Sequence, residues 1–138
     1  MKTGWFRKKE PGHLVLGRWG ERRAERFLKR QGLKILGRRV RVGKHDEIDL
    51  LGREKDILVI IEVKTRAREG VRPARDAVDK DKQIRLNRAA LRYARRLEPR
   101  PRALRFDIVE VIGSPGCGSP EIRHLPSAFG LHPGFRYD

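Results

Sequence analysis

Cysteine is almost absent from this chain. The lone Cys117 can close no internal disulfide and build no thiolate metal site, so a reducing, cytoplasmic setting is the expectation. Long apolar runs are missing too: none approaches the length of a bilayer span, and the first residues lack the apolar stretch of a signal peptide, so no membrane association is expected. Histidines number four, and His13, His45, His124 and His132 show no ligand spacing, which argues against zinc. Acidic residues are few beside basic ones, 18 Asp and Glu against 34 Lys and Arg, for a formal charge of +16. Such an excess repels itself in a compact chain and is usually tolerated because a polyanion binds it, nucleic acid first among them. Hydrophobic residues, at 38% of 138, still permit one modest core.

Residues 1 to 16 read as a basic leader, broken by Gly4 and Pro11-Gly12 and expected to be flexible; residues 17–138 read as one domain. A helix is predicted from Gly17 to Gln31, with Gly20, Ala24, Phe27 and Leu28 on one face and Gly32 as its stop. Three strands follow: Leu33 to Val42, Glu47 to Leu51, and Ile57 to Lys64, the last apolar on both faces until Glu62, as in a covered central strand. The polar loop from Thr65 to Val78 precedes a second helix, capped by Asp79 and running to about Leu97. A fourth long strand spans Leu104 to Ile112, a Gly/Pro/Ser linker Gly113 to Pro120, and a short segment Glu121 to Leu125 is a candidate edge strand. The meander is antiparallel and strand–helix–strand returns in parallel, so an α/β mixed sheet of order α-β-β-β-α-β with helices on its faces is expected.

The chemistry concentrates on two neighbouring strands. Alternation puts Glu62 and Lys64 on one face, and Glu47 and Asp49 on a common face of the strand before. The short hairpin between them brings Asp49 within reach of Glu62. Two carboxylates beside an apolar strand repel each other and tend to stay protonated, unless a hard cation such as Mg²⁺ binds both and keeps its remaining waters. Such a metal polarises a phosphoryl oxygen and acidifies a bound water, while Lys64 orients the water or offsets phosphorane charge. The plain alternative is an ion pair of Glu62 with Lys64 or a neighbouring Arg.

Asp49 followed across a hairpin by Glu62-Val63-Lys64 resembles the PD-(D/E)-x-K nuclease superfamily, with its restriction-endonuclease-like fold. More closely, the chain is similar to the bacterial YraN family, relatives of archaeal Holliday-junction resolvases, from Gly17 to Phe129. The matching stretches are Gly17-Arg18-Trp19-Gly20-Glu21 with Ala24, Glu47-Ile48-Asp49-Leu50, and Glu62-Val63-Lys64-Thr65-Arg66. Lys82, Arg105-Phe106-Asp107, His124-Leu125 and Ala128-Phe129 agree as well. One departure is visible: the family usually has Gly before Glu-Ile-Asp, where this chain has Asp46. The resemblance implies a metal (Mg²⁺, with Mn²⁺ as substitute) held by Asp49, Glu62 and the Val63 carbonyl, Lys64 as catalytic lysine, and Glu21 as a further carboxylate. It also implies an endonuclease hydrolysing phosphodiester bonds in DNA, selective for branched or gapped structures, and a homodimer. A non-catalytic domain binding DNA or structured RNA on the same fold stays open beside it.

Around the site, Arg66 is placed to touch the scissile phosphate through its two-toothed fork, with a solvated loop residue as the alternative. Lys82 lies on the inward face of the second helix and must snorkel or point into a site. Arg85, Arg88, Arg92 and Arg96 form a basic helical row that either tracks a phosphate backbone or is merely solvated. His45 is a minor candidate for proton transfer, and Asp107 is expected to be structural.

Overall fold

The computed structural model describes residues 12–68 and 73–138. The expected leader up to residue 11, and the stretch of the Thr65–Val78 loop that holds Gly70, lie outside them. Helix α1 spans Gly12–Arg30, so residues 12–16, expected in the leader, are already helical. Strands β1 (Lys34–Val42), β2 (Asp46–Glu54) and β3 (Ile57–Arg66) follow, then a short 3-10 turn at Ala74–Ala77 and helix α2 (Lys80–Ala94). Strands β4 (Ala103–Ile112) and β5 (Glu121–Phe129) complete one five-stranded sheet in the order β1-β2-β3-β4-β5. The β3–β4 pair is parallel and the other three are antiparallel. The expected mixed sheet and element order hold, and the edge segment at Glu121 proves to be a full strand reaching Phe129.

Each helix seals one face. Alternation along β3 sends Leu58 and Ile60 toward Leu86, Ala89, Ala90 and Ala94 of α2, and Val59, Ile61 and Val63 toward Ala24 and Leu28 of α1. The two clusters share the central strand, whose residues Leu58 to Ile61 are at most 1% exposed. Fully burying a Leu or Ile side chain contributes about 1.5–3 kcal/mol, so this strand dominates the core.

The helix ends follow from local chemistry. At the end of α1 Gly32 adopts φ 94°, letting Leu33 N donate to Leu28 O and Gly32 N to Lys29 O. The same turn packs Leu33 and Leu28 into one cluster, the apolar contact that accompanies this kind of stop. Asp79 caps α2 by accepting from Lys82 N at 2.8 Å. That helix ends at Ala94, three residues short of the expected Leu97: Arg96 N turns back to Tyr93 O and Leu97 N to Ala94 O. Tightened i→i+3 bonds of this kind close a last turn when the following prolines cannot extend it.

One glycine is dictated by contact. A Cβ on Gly20 would lie 1.8 Å from Thr65 Oγ1, so α1 rests directly on the end of β3. That close approach brings the Glu21 turn of α1 to the strand end that carries Glu62, Val63 and Lys64.

Candidate functional site

The site forms where β2 and β3 part. Their pairing ends at Leu50–Ile61, leaving Asp49 and Glu62 one residue beyond the last pair. Continued pairing would occupy the Val63 N–H; instead the Asp49 side chain takes it, Oδ2 accepting at 2.9 Å. The alternation of β2 also breaks at this residue. Ile48 packs in the α2-side cluster and Leu50 in the α1-side cluster, although two-residue spacing should put both on one face. Asp49 therefore sits at a twist in the strand, with its carboxyl group in the gap between sheet neighbours.

Glu62 is 3% exposed. Its Oε2 is shared by two ammonium groups, Lys64 Nζ at 3.2 Å and Lys82 Nζ at 3.8 Å. Its Oε1 is buried with no hydrogen-bond donor. Asp49 lies close enough to share a proton with Glu62, and burial first, then the Glu62 charge, pushes the Asp49 carboxyl up to about 7. The Val63 N–H and Lys82 oppose that rise without cancelling it. A buried carboxylate oxygen lacking a partner is costly, and a proton held with Asp49 or a cation would satisfy it.

Those donors suit a hard divalent cation. Among the described residues no group of three or more His, Cys, Asp or Glu side chains converges as a metal cage. Asp49 and Glu62 bring two carboxylates together, which suits Mg²⁺, an ion that keeps several waters and takes substrate oxygens.

Glu21 stands at the edge of this cluster. Burial, then the Asp49 charge, raises its pKa, while Arg39 lowers it and holds Glu21 Oε1 at 2.9 Å. Arg39 has φ 46°, a left-handed backbone that costs a non-glycine residue about 1–2 kcal/mol. It stands opposite Asp49, between the Arg38–Leu50 and Val40–Ile48 pairs. Glu47, expected on the Asp49 face, is instead an exposed rim residue 4.0 Å from Arg41 and outside the carboxylate pair.

The remaining expected contacts divide. Arg66 Nε lies 3.5 Å from buried Glu110, which Arg123 approaches from the other side at 3.6 Å. Lys82 does point into the site rather than out to solvent. In the α2 row, Arg88 is committed: it grips Asp46 with two bonds of 2.9 and 2.8 Å, and Asp46 is 6% exposed. Arg88 first holds the Asp46 carboxyl below its usual range, against the opposing effect of burial. Asp46 is thus tied to α2, leaving Arg85, Arg92 and Arg96 as the exposed members of the row. His45 is exposed on the turn before β2.

Asp107, expected to be structural, is the centre of a second polar cluster whose partners the sequence reading did not name. This residue is fully buried, accepts two bonds of 2.9 Å from Arg105 and one of 3.0 Å from Ser127 N, and contacts His124 Nε2 at 2.8 Å. Burial would raise its pKa; His124, Arg105 and the Ser127 N–H outweigh that and leave it lowered. The Arg-x-Asp spacing, two residues on one strand face, was the available signal. The knot joins β4 to β5 and fits the structural role expected of Asp107.

The fold and site define a small, basic α/β protein with a carboxylate pair, Glu62 buried and Asp49 half-buried, set beside two lysines at a split between strands. Its relatives fit one group. The chain belongs to the uncharacterised protein family UPF0102, the YraN family, whose family model matches residues 20–111. It is 43% identical over 123 residues to a UPF0102 protein of Koribacter versatilis, covering 87% of this chain and 82% of that one. A UPF0102 protein of Leifsonia xyli is 38% identical over 111 residues, covering 80% and 92%. One from Symbiobacterium thermophilum is 40% identical over 114 residues, covering 83% and 95%.

Proposed function

We propose that the protein is a divalent-metal-dependent endonuclease of the PD-(D/E)-x-K type that hydrolyses phosphodiester bonds in DNA. The observation that carries the reading is the orphaned Glu62 Oε1, buried beside Asp49 and flanked by Lys64 and Lys82. Asp49, Glu62 and the Val63 carbonyl would hold Mg²⁺ or Mn²⁺. Bound there, the ion supplies Lewis acidity to a phosphoryl oxygen and lowers the pKa of a coordinated water.

The chain's own groups do the rest. Asp49 would have to give up its proton to hold a cation, so binding would be favoured above about pH 7. Lys64, 3.2 Å from Glu62, keeps its ammonium at the strand end, where it orients the attacking water and offsets charge developing on the phosphorane. Lys82 reaches the same carboxylate from α2 and adds a second positive charge on the opposite wall. The excess of Lys and Arg draws the polyanion to the surface without regard to sequence.

A second reading, a nucleic-acid-binding domain without catalysis, is favoured by one observation: Glu21 is occupied by Arg39 and no third carboxylate completes the pair among the described residues. Cleavage assays separate the two. Wild type is incubated with labelled single-stranded, duplex, flap and four-way-junction DNA in Mg²⁺ or Mn²⁺, beside Asp49→Ala, Glu62→Ala and Lys64→Ala. Metal-dependent cleavage lost in all three variants supports the nuclease. Binding without cleavage of any substrate, unchanged in the variants, supports the binding domain instead.

A further inference from the structure

A trough of about 580 Å³ opens beside the site on the α1 face of the sheet. Its outer wall is α1, where Arg22, Arg26 and Lys29 follow one another at helical spacing. Its inner wall is β1, with Arg38 and Arg39, and Leu50 lies on the floor next to Asp49. Two carboxylates line it as well, and both are engaged. Glu25 is bound by Arg38 and Lys29, and Glu21 by Arg39 at the end nearest Asp49. Arg38 foremost, with Lys29 and against burial, holds Glu25 down at about 2, so it is a fixed negative strut between cations. Six basic side chains against two carboxylates leave the trough strongly positive.

Its shape selects an occupant. From Arg18 to Lys29 the helical wall is about 17 Å long, and it faces the strand β1 across the trough. A sugar–phosphate backbone fits lengthwise between a helix and a neighbouring strand; a duplex, whose phosphates ride on a convex cylinder, meets only their rim. Among the described residues no aromatic side chain lines it, so contact there is with the backbone.

We infer that the α1–β1 trough is a single-strand channel that carries the nucleic-acid backbone on one side of the Asp49–Glu62 site. The inference rests on the proposed function for what happens at the site, and adds where the strand runs and in what form. Arg22 and Arg26 are exposed and ion-pair with no described residue, so they are the cations free to meet phosphates. The arginines of α2 lie on the opposite face of the sheet and would contribute little to this path.

The test measures binding, without metal, of a fluorescent oligothymidylate and of a duplex of equal length, across a salt series. Arg22→Ala/Arg26→Ala is expected to weaken single-strand binding on the order of tenfold at low salt and to flatten its salt slope by about 1.4, two contacts at 0.7 each. Arg22→Lys/Arg26→Lys should keep the slope, and Arg85→Ala/Arg92→Ala should leave single-strand affinity largely unchanged. An unchanged slope in the first variant, or an equal loss for single strand and duplex, would overturn the channel. If wild type cleaves nothing with metal while the Arg22/Arg26 effect persists, the nuclease reading fails and the channel stands. If cleavage is intact and the Arg22/Arg26 variant binds like wild type, the reverse holds.

Discussion

Asp49→Asn should make the protein more stable, by an amount that grows from about pH 4 and is complete above about pH 7. In the wild type, burial and the neighbouring Glu62 move the Asp49 carboxyl from 3.8 to about 7. A folded pKa raised above its unfolded value means the contribution to stability is complete below about pH 4 and is lost as pH rises through about 7. The full shift corresponds to at most about 4 kcal/mol, since each pH unit is worth about 1.4. Relaxation and sharing of the proton with Glu62 reduce the expected gain to about 2 kcal/mol. Asparagine keeps the oxygen that accepts from Val63 N while removing the charge. For a chain of this size 2 kcal/mol moves the melting temperature by about 6 °C. Thermal unfolding of metal-free wild type and variant at pH 4.5 and pH 8 is the assay. The variant should melt higher at pH 8 and match wild type at pH 4.5. Equal differences at both pH values, or a less stable variant at pH 8, would refute the idea that stability is given up here to hold two carboxyl groups together.

Other substitutions separate architecture from site. Gly20→Ala should destabilise by about 3 kcal/mol, because the new methyl group collides with Thr65 and α1 must lift from β3; urea denaturation reads the loss. Arg88→Ala should cost about 1–2 kcal/mol in the same assay, since Asp46 loses both its hydrogen bonds while solvent and Arg92 still reach it, with little change in nucleic-acid affinity at moderate salt. Replacing Asp107 by Asn should destabilise at pH 7 by leaving Arg105 and His124 without their carboxylate. Because the folded Asp107 pKa is lowered, wild type holds this contribution above about pH 4 and loses it as pH falls further, so the difference between the two proteins should shrink in acid.

Much of this was legible in the sequence because periodicity and capping are local. The both-faced apolar run Leu58 to Ile61 marked the central strand, Gly32 the end of α1, and Asp79 the start of α2. The hairpin joining β2 to β3 was enough to bring Asp49 to Glu62. The twist at Asp49 was not legible, because it depends on pairing that stops at Leu50–Ile61 and on a side chain replacing a backbone acceptor. Long-range ion pairs escaped for the same reason. Asp46 and Arg88 are 42 residues apart, and nothing in either segment announces the other. The α1–β1 trough needs Arg38 of one element to face Lys29 of another, a relation that charge counting cannot supply.

Titration of metal-free protein with Mn²⁺ at pH 8, followed by calorimetry, bears most directly on the Asp49–Glu62 pair. The orphaned Glu62 oxygen predicts one site per chain in wild type, absent in Glu62→Gln and weakened as pH falls below about 7, where Asp49 recovers its proton. Identical heats from wild type and Glu62→Gln, or no saturable binding at either pH, would contradict it.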